Sequence, residues 1–474
     1  MNVLLIQPPH PRSIDKKYLS TQIPINLAYI AASLEEEGAN VKIIDFCIEK
    51  FIKEKFLLYL KKFNPKIIGF TSMTPSILFV KDIAKVIKEY DKNILIILGG
   101  MHISALPKRT LKEIPNIDIG VCGEGDITIK EIYHAKSSNK PYKNIDGIVY
   151  RSNRKIEITP KRELIKNLDK IPFPARHLFY MDKYKKSHVS RGFSRKHMKM
   201  MEIFTSRGCP NKCIYCSNAN FNHYVRFRSY ENIVSEIDSL IKNYQINHIS
   251  IEDDTFTINK PLLKKLCKYF KEKNITWNCN ARVDTVDFKL IKIMKDAGCK
   301  KISFGVESGS QRILELNKKN TKINQIKNAF KWAKKAKIRF VEGTFILGSH
   351  TDETIEEIKN TKDLMFELMP DIIMLSVMCP FPGTEINRMM IKQKLIDNKV
   401  KWDKYTLITK EPPFKRLNNI TSKELLKLQK NIIKEYYSSP KYILNQILKI
   451  RSIGELSYLT ELGFYFMKDF IIKK

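Results

Sequence analysis

Residues 206–218 read Ser-Arg-Gly-Cys-Pro-Asn-Lys-Cys-Ile-Tyr-Cys-Ser-Asn, placing Cys209, Cys213 and Cys216 within eight positions. Gaps of three and then two residues bring three thiolates onto one tight turn. Such a set points to a cubane iron–sulfur cluster, which normally takes four cysteines. One iron then stays open for a ligand that the protein does not supply. Zinc is the competing reading, but a structural zinc site is closed by four ligands. Here the fourth would have to come from the distant Cys267 or Cys279. A third reading makes the three cysteines small core residues. Gly208, Pro210 and Asn211 mark a turn and not a core element, which argues against it.

Outward from this loop, both flanks alternate β-branched runs with amphipathic stretches. On the C-terminal side, strands are expected at 202–205, 248–252, 276–280, 301–304, 339–347 and 372–377. Helices are expected between them at 230–244, 260–272, 286–297, 323–336 and 352–366. Six such units fit a partial (βα)6 TIM-like barrel, whose active site forms at the carboxyl ends of the strands. The cysteine loop follows the first strand, Glu252-Asp253-Asp254 the second, and Arg282 the third. Glu307 and Ser308 follow the fourth, Gly348 the fifth, and 380–384 the sixth. A single acidic residue at a strand end is usually a helix cap; a shared rim of them is a site.

On the N-terminal side, strands are expected at 3–6, 41–46, 66–71, 94–98, 119–121 and 147–150. Helices are expected at 24–37, 49–62, 75–90 and 107–113. Continuous apolar strands alternating with helices imply an α/β fold with a doubly wound parallel sheet covered on both faces. Ligands bind such sheets at the carboxyl edge. That edge carries Gln7, Thr71 and Ser72, Gly99 and Gly100 followed by His102, and Gly123 followed by Glu124. No G-x-G-x-x-G opens a helix, so a dinucleotide is not the ligand indicated.

The expected division is therefore 1–150, a linker at 151–200, a barrel at 201–385 and a helical basic region at 386–474. From position 386 onward 19 Lys and Arg stand against 8 acidic residues. The stretch 442–472 interleaves apolar residues with lysines and is expected to pack on the barrel, with a peripheral membrane contact as the alternative.

Composition bounds the reading further. The chain has 474 residues, long enough for two or three domains. Nine cysteines, an odd number, give no secreted disulfide framework. The opening MNVLLIQPPHP has no basic n-region, and no apolar run approaches the roughly 20 residues that span a bilayer. A reducing cytoplasm is the expected location. The net charge of +34 is spread along a Lys-, Ile- and Asn-rich chain. No arginine-rich run, zinc finger or RNA-binding aromatic signature accompanies it, which disfavours nucleic acid as a partner.

At the cysteine loop the chain resembles the radical S-adenosylmethionine enzymes, whose C-x3-C-x2-C motif carries an aromatic before the last cysteine, here Tyr215. Across residues 1–385 it is similar to their cobalamin-binding subclass. The resemblance lies in LLIQPP at 4–9, GGMHIS at 99–104, GEGD at 123–126 and LDKIPFPARH at 168–177. It continues in EDDTFT at 252–257, ARVD at 281–284, FGVESGS at 304–310 and PFPGTE at 380–385. It implies a 4Fe–4S cluster on Cys209, Cys213 and Cys216, with S-adenosylmethionine chelating the open iron. Asp253 or Asp254 would meet the cofactor's amino group, Arg282 its carboxylate, Glu307 and Ser308 its ribose, and Gly348 its adenine.

Cobalamin is implied on the edge formed by Gln7, Thr71, Ser72, Gly99, Gly100, His102, Gly123 and Glu124. Two departures qualify this. No D-x-H-x-x-G motif supplies an axial histidine, which implies cobalamin bound without one. The turn at 348–354 also lacks the Pro-Gly usual there.

The resemblance implies reductive cleavage of S-adenosylmethionine to methionine and a 5′-deoxyadenosyl radical, with an external donor of ferredoxin or flavodoxin type. The leading expectation is C-methylation of an unactivated carbon. The second is oxidative ring closure, as in anaerobic magnesium-protoporphyrin ester cyclases. A cobalamin or redox sensor that binds nucleic acid is the reading outside enzymes. The basic, aromatic C-terminal region suits a small lipid-like or tetrapyrrole substrate.

Overall fold

A computed structural model describes residues 1–10, 22–152, 155–187, 199–220, 223–397, 402–407 and 411–450. Of the segments discussed above, 188–198 of the linker and 451–472 of the C-terminal stretch lie outside the described residues.

The first sheet contains β1 (Asn2–Gln7), β2 (Asn40–Asp45), β3 (Ile67–Thr71), β4 (Leu95–Gly99) and β5 (Ile119–Val121), followed by β6 (Ile148–Ser152) and β7 (Lys155–Ile158). Its order is β2-β1-β3-β4-β5-β6-β7. The first five strands are parallel, while β6 and β7 close the edge as an antiparallel hairpin. Strand parity explains why it is wound on both sides. Leu4, Ile6, Ile68, Phe70, Ile96 and Leu98 pack beneath the helices Lys53–Phe63 and Ile77–Tyr90. Val3, Leu5, Ile67, Leu95 and Ile97 pack on the opposite face beneath Ile25–Glu35 and Asp126–Ser137. Apolar residues at consecutive positions therefore bury both faces.

Two elements depart from the sequence reading. The strand β7 lies inside the stretch 151–200 read as linker, and the helix Asp126–Ser137 stands where none was expected. Four residues of KIEI carry too short a pattern to read as a strand. The helix begins on the last residue of the GEGD turn, whose glycines mask its start in the sequence.

The second sheet is all parallel, with its strands in chain order. They are β8 (Met200–Ile203), β11 (His248–Ile251), β12 (Thr276–Ala281), β13 (Cys299–Glu307), β14 (Phe340–Leu347) and β15 (Ile372–Val377). A short antiparallel pair, β9 (Ser206–Arg207) and β10 (Arg226–Phe227), flanks the cysteine loop. Helices cross from strand to strand outside, which gives the partial (βα)6 barrel expected. Odd residues such as Ile249, Ile251, Trp277 and Cys279 face the helices. Cys267, Cys279 and Cys299 are buried together in this core. They are thus engaged away from the loop, which leaves the zinc reading without its proposed fourth ligand.

Arg176 holds the connector to the barrel. It is 3% exposed and donates to Glu236 Oε1 and to the Glu202 carbonyl, both at 2.6 Å. Arg228 occupies the other Glu236 oxygen.

Beyond the barrel, β16 (Arg416–Leu417) and β17 (Ile420–Thr421) lead into the helix Ser422–Tyr437. That helix packs on β15: Gln429 donates to the Leu375 carbonyl at 2.7 Å, and the Ile373 amide donates to the Tyr437 hydroxyl at 3.1 Å. Trp402 and Tyr405 travel further and join the core of the first sheet. Among the described residues, no helix is long and apolar enough to cross a membrane.

Candidate active site

The turn between β8 and the cysteine loop is fixed from behind by Asp253. Its carboxylate accepts from the Thr205 amide at 2.7 Å, the Thr205 hydroxyl at 2.5 Å and the Ser206 hydroxyl at 2.6 Å. Burial pushes its pKa up to about 6 against the pull of these donors. With both oxygens turned into the turn, Asp253 supports the loop, and its neighbour Asp254 faces the opening.

None of Cys209, Cys213 and Cys216 is in a disulfide. Asn211 Nδ2 lies 3.4 Å from Cys209 Sγ. Burial raises the Cys216 thiol to about 12, and Cys213, Asp254 and Cys209 add to the rise. Among the described residues, no three His, Cys, Asp or Glu side chains close around a single metal ion.

Tyr215 is the aromatic before the last cysteine. Its hydroxyl is buried against the cysteine loop, with Cys213 as its neighbour. Burial raises its pKa first, followed by the Glu307 and Cys213 charges. Glu307 sits at a register shift of β13 with φ +69°, an unusual conformation for a non-glycine residue. Its carboxylate meets Lys319 Nζ at 2.9 Å. Arg282 is 5% exposed; its fork grips Asp284 at 3.0 and 2.8 Å, and it donates to the Lys319 carbonyl at 2.7 Å. The Ser308 hydroxyl is fully buried and engaged with Thr361 and the Ser310 amide. Gly348 has φ +68°, and a Cβ there would lie 2.9 Å from Leu417, so the C-terminal region roofs this strand end.

The carboxyl edge of the first sheet faces the cysteine loop across one cavity of about 470 Å³. Thr71, Ser72, Gly99, Gly100, Gly123 and Glu124 line it from the sheet side. Ser206, Gly208, Asn218 and Asp254 line it from the barrel side. Gly100 has φ +103°, and a Cβ there would come within 2.6 Å of the Ser72 carbonyl, so the backbones can approach this closely only at glycine.

Gln7 and His102 do not line the cavity. His102 is 1% exposed, lies 3.2 Å from Thr74 Oγ1 and meets the Trp402 ring edge-on at 4.9 Å. Burial lowers its pKa to about 4. Its ring is thus engaged by Thr74 and Trp402, outside the lining of the cavity. Glu124 does line the cavity, but both its oxygens are taken by Arg226, at 2.8 Å each.

Tyr29, Asp126, Arg207 and Arg226 also line the cavity and escaped sequence reasoning. Asp126 lies inside the GEGD turn and Arg207 inside the cysteine loop. Their complementary charge was the available signal, and the separation of 81 positions hid the pairing.

Fold and site define a radical S-adenosylmethionine barrel joined to a corrinoid-type α/β domain. Comparison with known families agrees: residues 203–362 match the radical SAM superfamily and residues 12–133 the B12 binding domain. The chain is 35% identical over 452 residues to an uncharacterized methyltransferase of Pyrococcus horikoshii, covering 95% of each. It is 28% identical over 422 residues to cytidylyl-2-hydroxyethylphosphonate methyltransferase of Streptomyces wedmorensis, covering 79% of each. Its fold superposes with a TM-score of 0.75 on the cobalamin-dependent S-adenosylmethionine radical enzyme OxsB, at 17% identity and over 98% of this chain and 71% of that one. The chain belongs to the cobalamin-binding radical S-adenosylmethionine enzymes, a methyltransferase-like family that uses a 4Fe–4S cluster, S-adenosylmethionine and cobalamin.

Proposed function

We propose that the protein transfers a methyl group to an unactivated carbon of a small-molecule substrate. The observation that carries this reading is a cavity walled on one side by the sheet edge and on the other by Ser206, Gly208 and Asn218, which flank the three cysteines. A substrate carbon there lies between the two cofactor stations. When bound, cluster and S-adenosylmethionine supply a 5′-deoxyadenosyl radical that removes hydrogen, and the corrinoid supplies the methyl group.

In this reading Cys209, Cys213 and Cys216 hold the cluster, and Tyr215, between the second and third of them, stands beside S-adenosylmethionine. Asp254 takes the ammonium of S-adenosylmethionine as a charge-assisted partner. Arg282 orders the rim near its carboxylate, while Glu307 and Ser308 stand beside the ribose and Gly348 beside the adenine. Thr71, Ser72, Gly99, Gly100 and Gly123 offer backbone and hydroxyl contacts to the corrinoid. An external donor of ferredoxin or flavodoxin type supplies electrons. The substrate is apolar in part, lipid-like or tetrapyrrole.

Anaerobic reconstitution with iron, sulfide, cobalamin, methyl-labelled S-adenosylmethionine and a strong reductant tests the reading. The protein should retain cobalamin, form 5′-deoxyadenosine and pass label to the corrinoid. Equal 5′-deoxyadenosine from Cys213→Ala would refute the radical step. A ring-closed product without label would replace methyl transfer by cyclisation.

A further inference from the structure

The β9–β10 pair beside the cluster loop carries a local conflict. Arg207 and Arg226 stand directly opposite each other in its register. Like charges in that position destabilise a strand pair. Their compensation comes from the other domain, through the turn that walls the corrinoid side of the cavity. Asp126 accepts both ends of the Arg207 fork at 2.8 and 3.1 Å. Glu124 accepts both ends of the Arg226 fork at 2.8 Å. Arg226 also donates to the Ile165 carbonyl at 2.8 Å, and the Arg207 guanidinium lies 5.2 Å above the Tyr29 ring.

Two parallel forks fix direction as well as distance, because each pair allows one planar alignment. All four charged side chains are largely buried, at 6% to 21% exposure. They are therefore screened little by solvent and salt. Arg207 is two residues from Cys209, and Glu124 is the next residue after Gly123. The four-residue bridge thus joins the chain next to one cofactor station to the chain next to the other.

We propose that Asp126–Arg207 and Glu124–Arg226 are positioning residues that set the separation between cobalt and cluster across the shared cavity. This rests on the cofactor reading above. It also reassigns Glu124 from a corrinoid contact to a strut between domains. Radical chemistry needs the distance held closely, since a displacement of about 1 Å in a reacting geometry can cost on the order of a hundredfold in rate.

The separation can be read without the substrate. Wild-type protein loaded with cob(II)alamin and carrying the reduced cluster holds two unpaired spins, and pulsed EPR measures the distance between them. Wild type should give one narrow distance. Asp126→Asn keeps the side-chain shape and removes the charge, and it should shift or broaden that distance while iron content and cobalamin retention persist. Glu124→Gln should act on the second strut in the same way, and provides the measurement if Asp126→Asn fails to fold. The swap of Asp126→Arg with Arg207→Asp should bring the distance back toward wild type. An unchanged distribution in both single variants, with both signals intact, overturns the inference. Lack of either spin signal in wild type would instead overturn the cofactor reading and the inference with it.

Discussion

Gly208 immediately precedes the first cysteine, and its replacement isolates what the loop needs from the backbone. It has φ +95°, and a Cβ there would fall on the Tyr224 carbonyl oxygen, with the Tyr224 carbonyl carbon 3.3 Å away. Gly208→Ala therefore meets two penalties. An L-residue in the left-handed region costs about 1–2 kcal/mol. The overlap adds a further amount of order 1–3 kcal/mol, the size typical of overpacking, because its partner is backbone of β10's approach and cannot rotate away. The total is about 3 kcal/mol, roughly a hundredfold in the population of the cluster-binding loop.

Gly38 supplies the matched control. It has φ +73° and nothing within 4 Å of a built Cβ, so Gly38→Ala bears only the conformational part. Iron and sulfide content after anaerobic reconstitution, with cluster absorbance and far-ultraviolet circular dichroism, is the assay. Gly208→Ala should keep its secondary structure and lose most of its cluster, while Gly38→Ala should keep both. Full cluster content in Gly208→Ala, or equal loss in the two variants, would refute the steric argument.

Two other outcomes follow from buried titratable groups. Burial raises Glu353 to about 8 and Glu202 to about 7, each first through desolvation. Each binds its proton more tightly when folded, so this stability is complete below the ordinary carboxylate range and is lost as pH rises through the raised value. Denaturant unfolding of the wild type should show lower stability at pH 8 than at pH 5. In Glu353→Gln, which can still accept from the Ser349 amide, that difference should shrink by on the order of several kcal/mol. An unchanged slope would contradict the assignment. His102→Gln should retain cobalamin within about twofold of wild type, since the ring serves Thr74 and Trp402; absorbance titration decides, and a tenfold loss, about 1.4 kcal/mol, would place His102 in the corrinoid site after all.

The fold was largely legible because its two signals are local. Runs such as Leu4-Leu5-Ile6 and Ile96-Ile97-Leu98 bury consecutive residues on opposite faces, and their alternation with amphipathic helices is the pattern of a parallel sheet covered on both sides. The triplet of cysteines was legible for the same reason, since eight residues hold the whole pattern. What escaped is contact between distant segments. Asp126 reads as a turn residue and Arg207 as a polar neighbour of the cysteines until the two domains face each other. His102 sits at the correct strand edge by position, yet its ring direction is set by Trp402, three hundred positions later. Asp253 and Asp254 are adjacent in sequence and identical in type; only the fold assigns one to brace the loop and the other to the opening.

The placement of Trp402 bears on how the protein is made. Its indole donates to Glu113 at 2.6 Å and its ring lies under the Arg109 guanidinium at 4.5 Å. A nascent chain emerges in order, so the first sheet leaves the ribosome with its helices in place but without Trp402 and Tyr405 until the segment at 402–405 arrives. At roughly 5–20 residues per second, that interval is on the order of half a minute. The last apolar side chains of the N-terminal core thus come from the segment synthesised after the whole barrel.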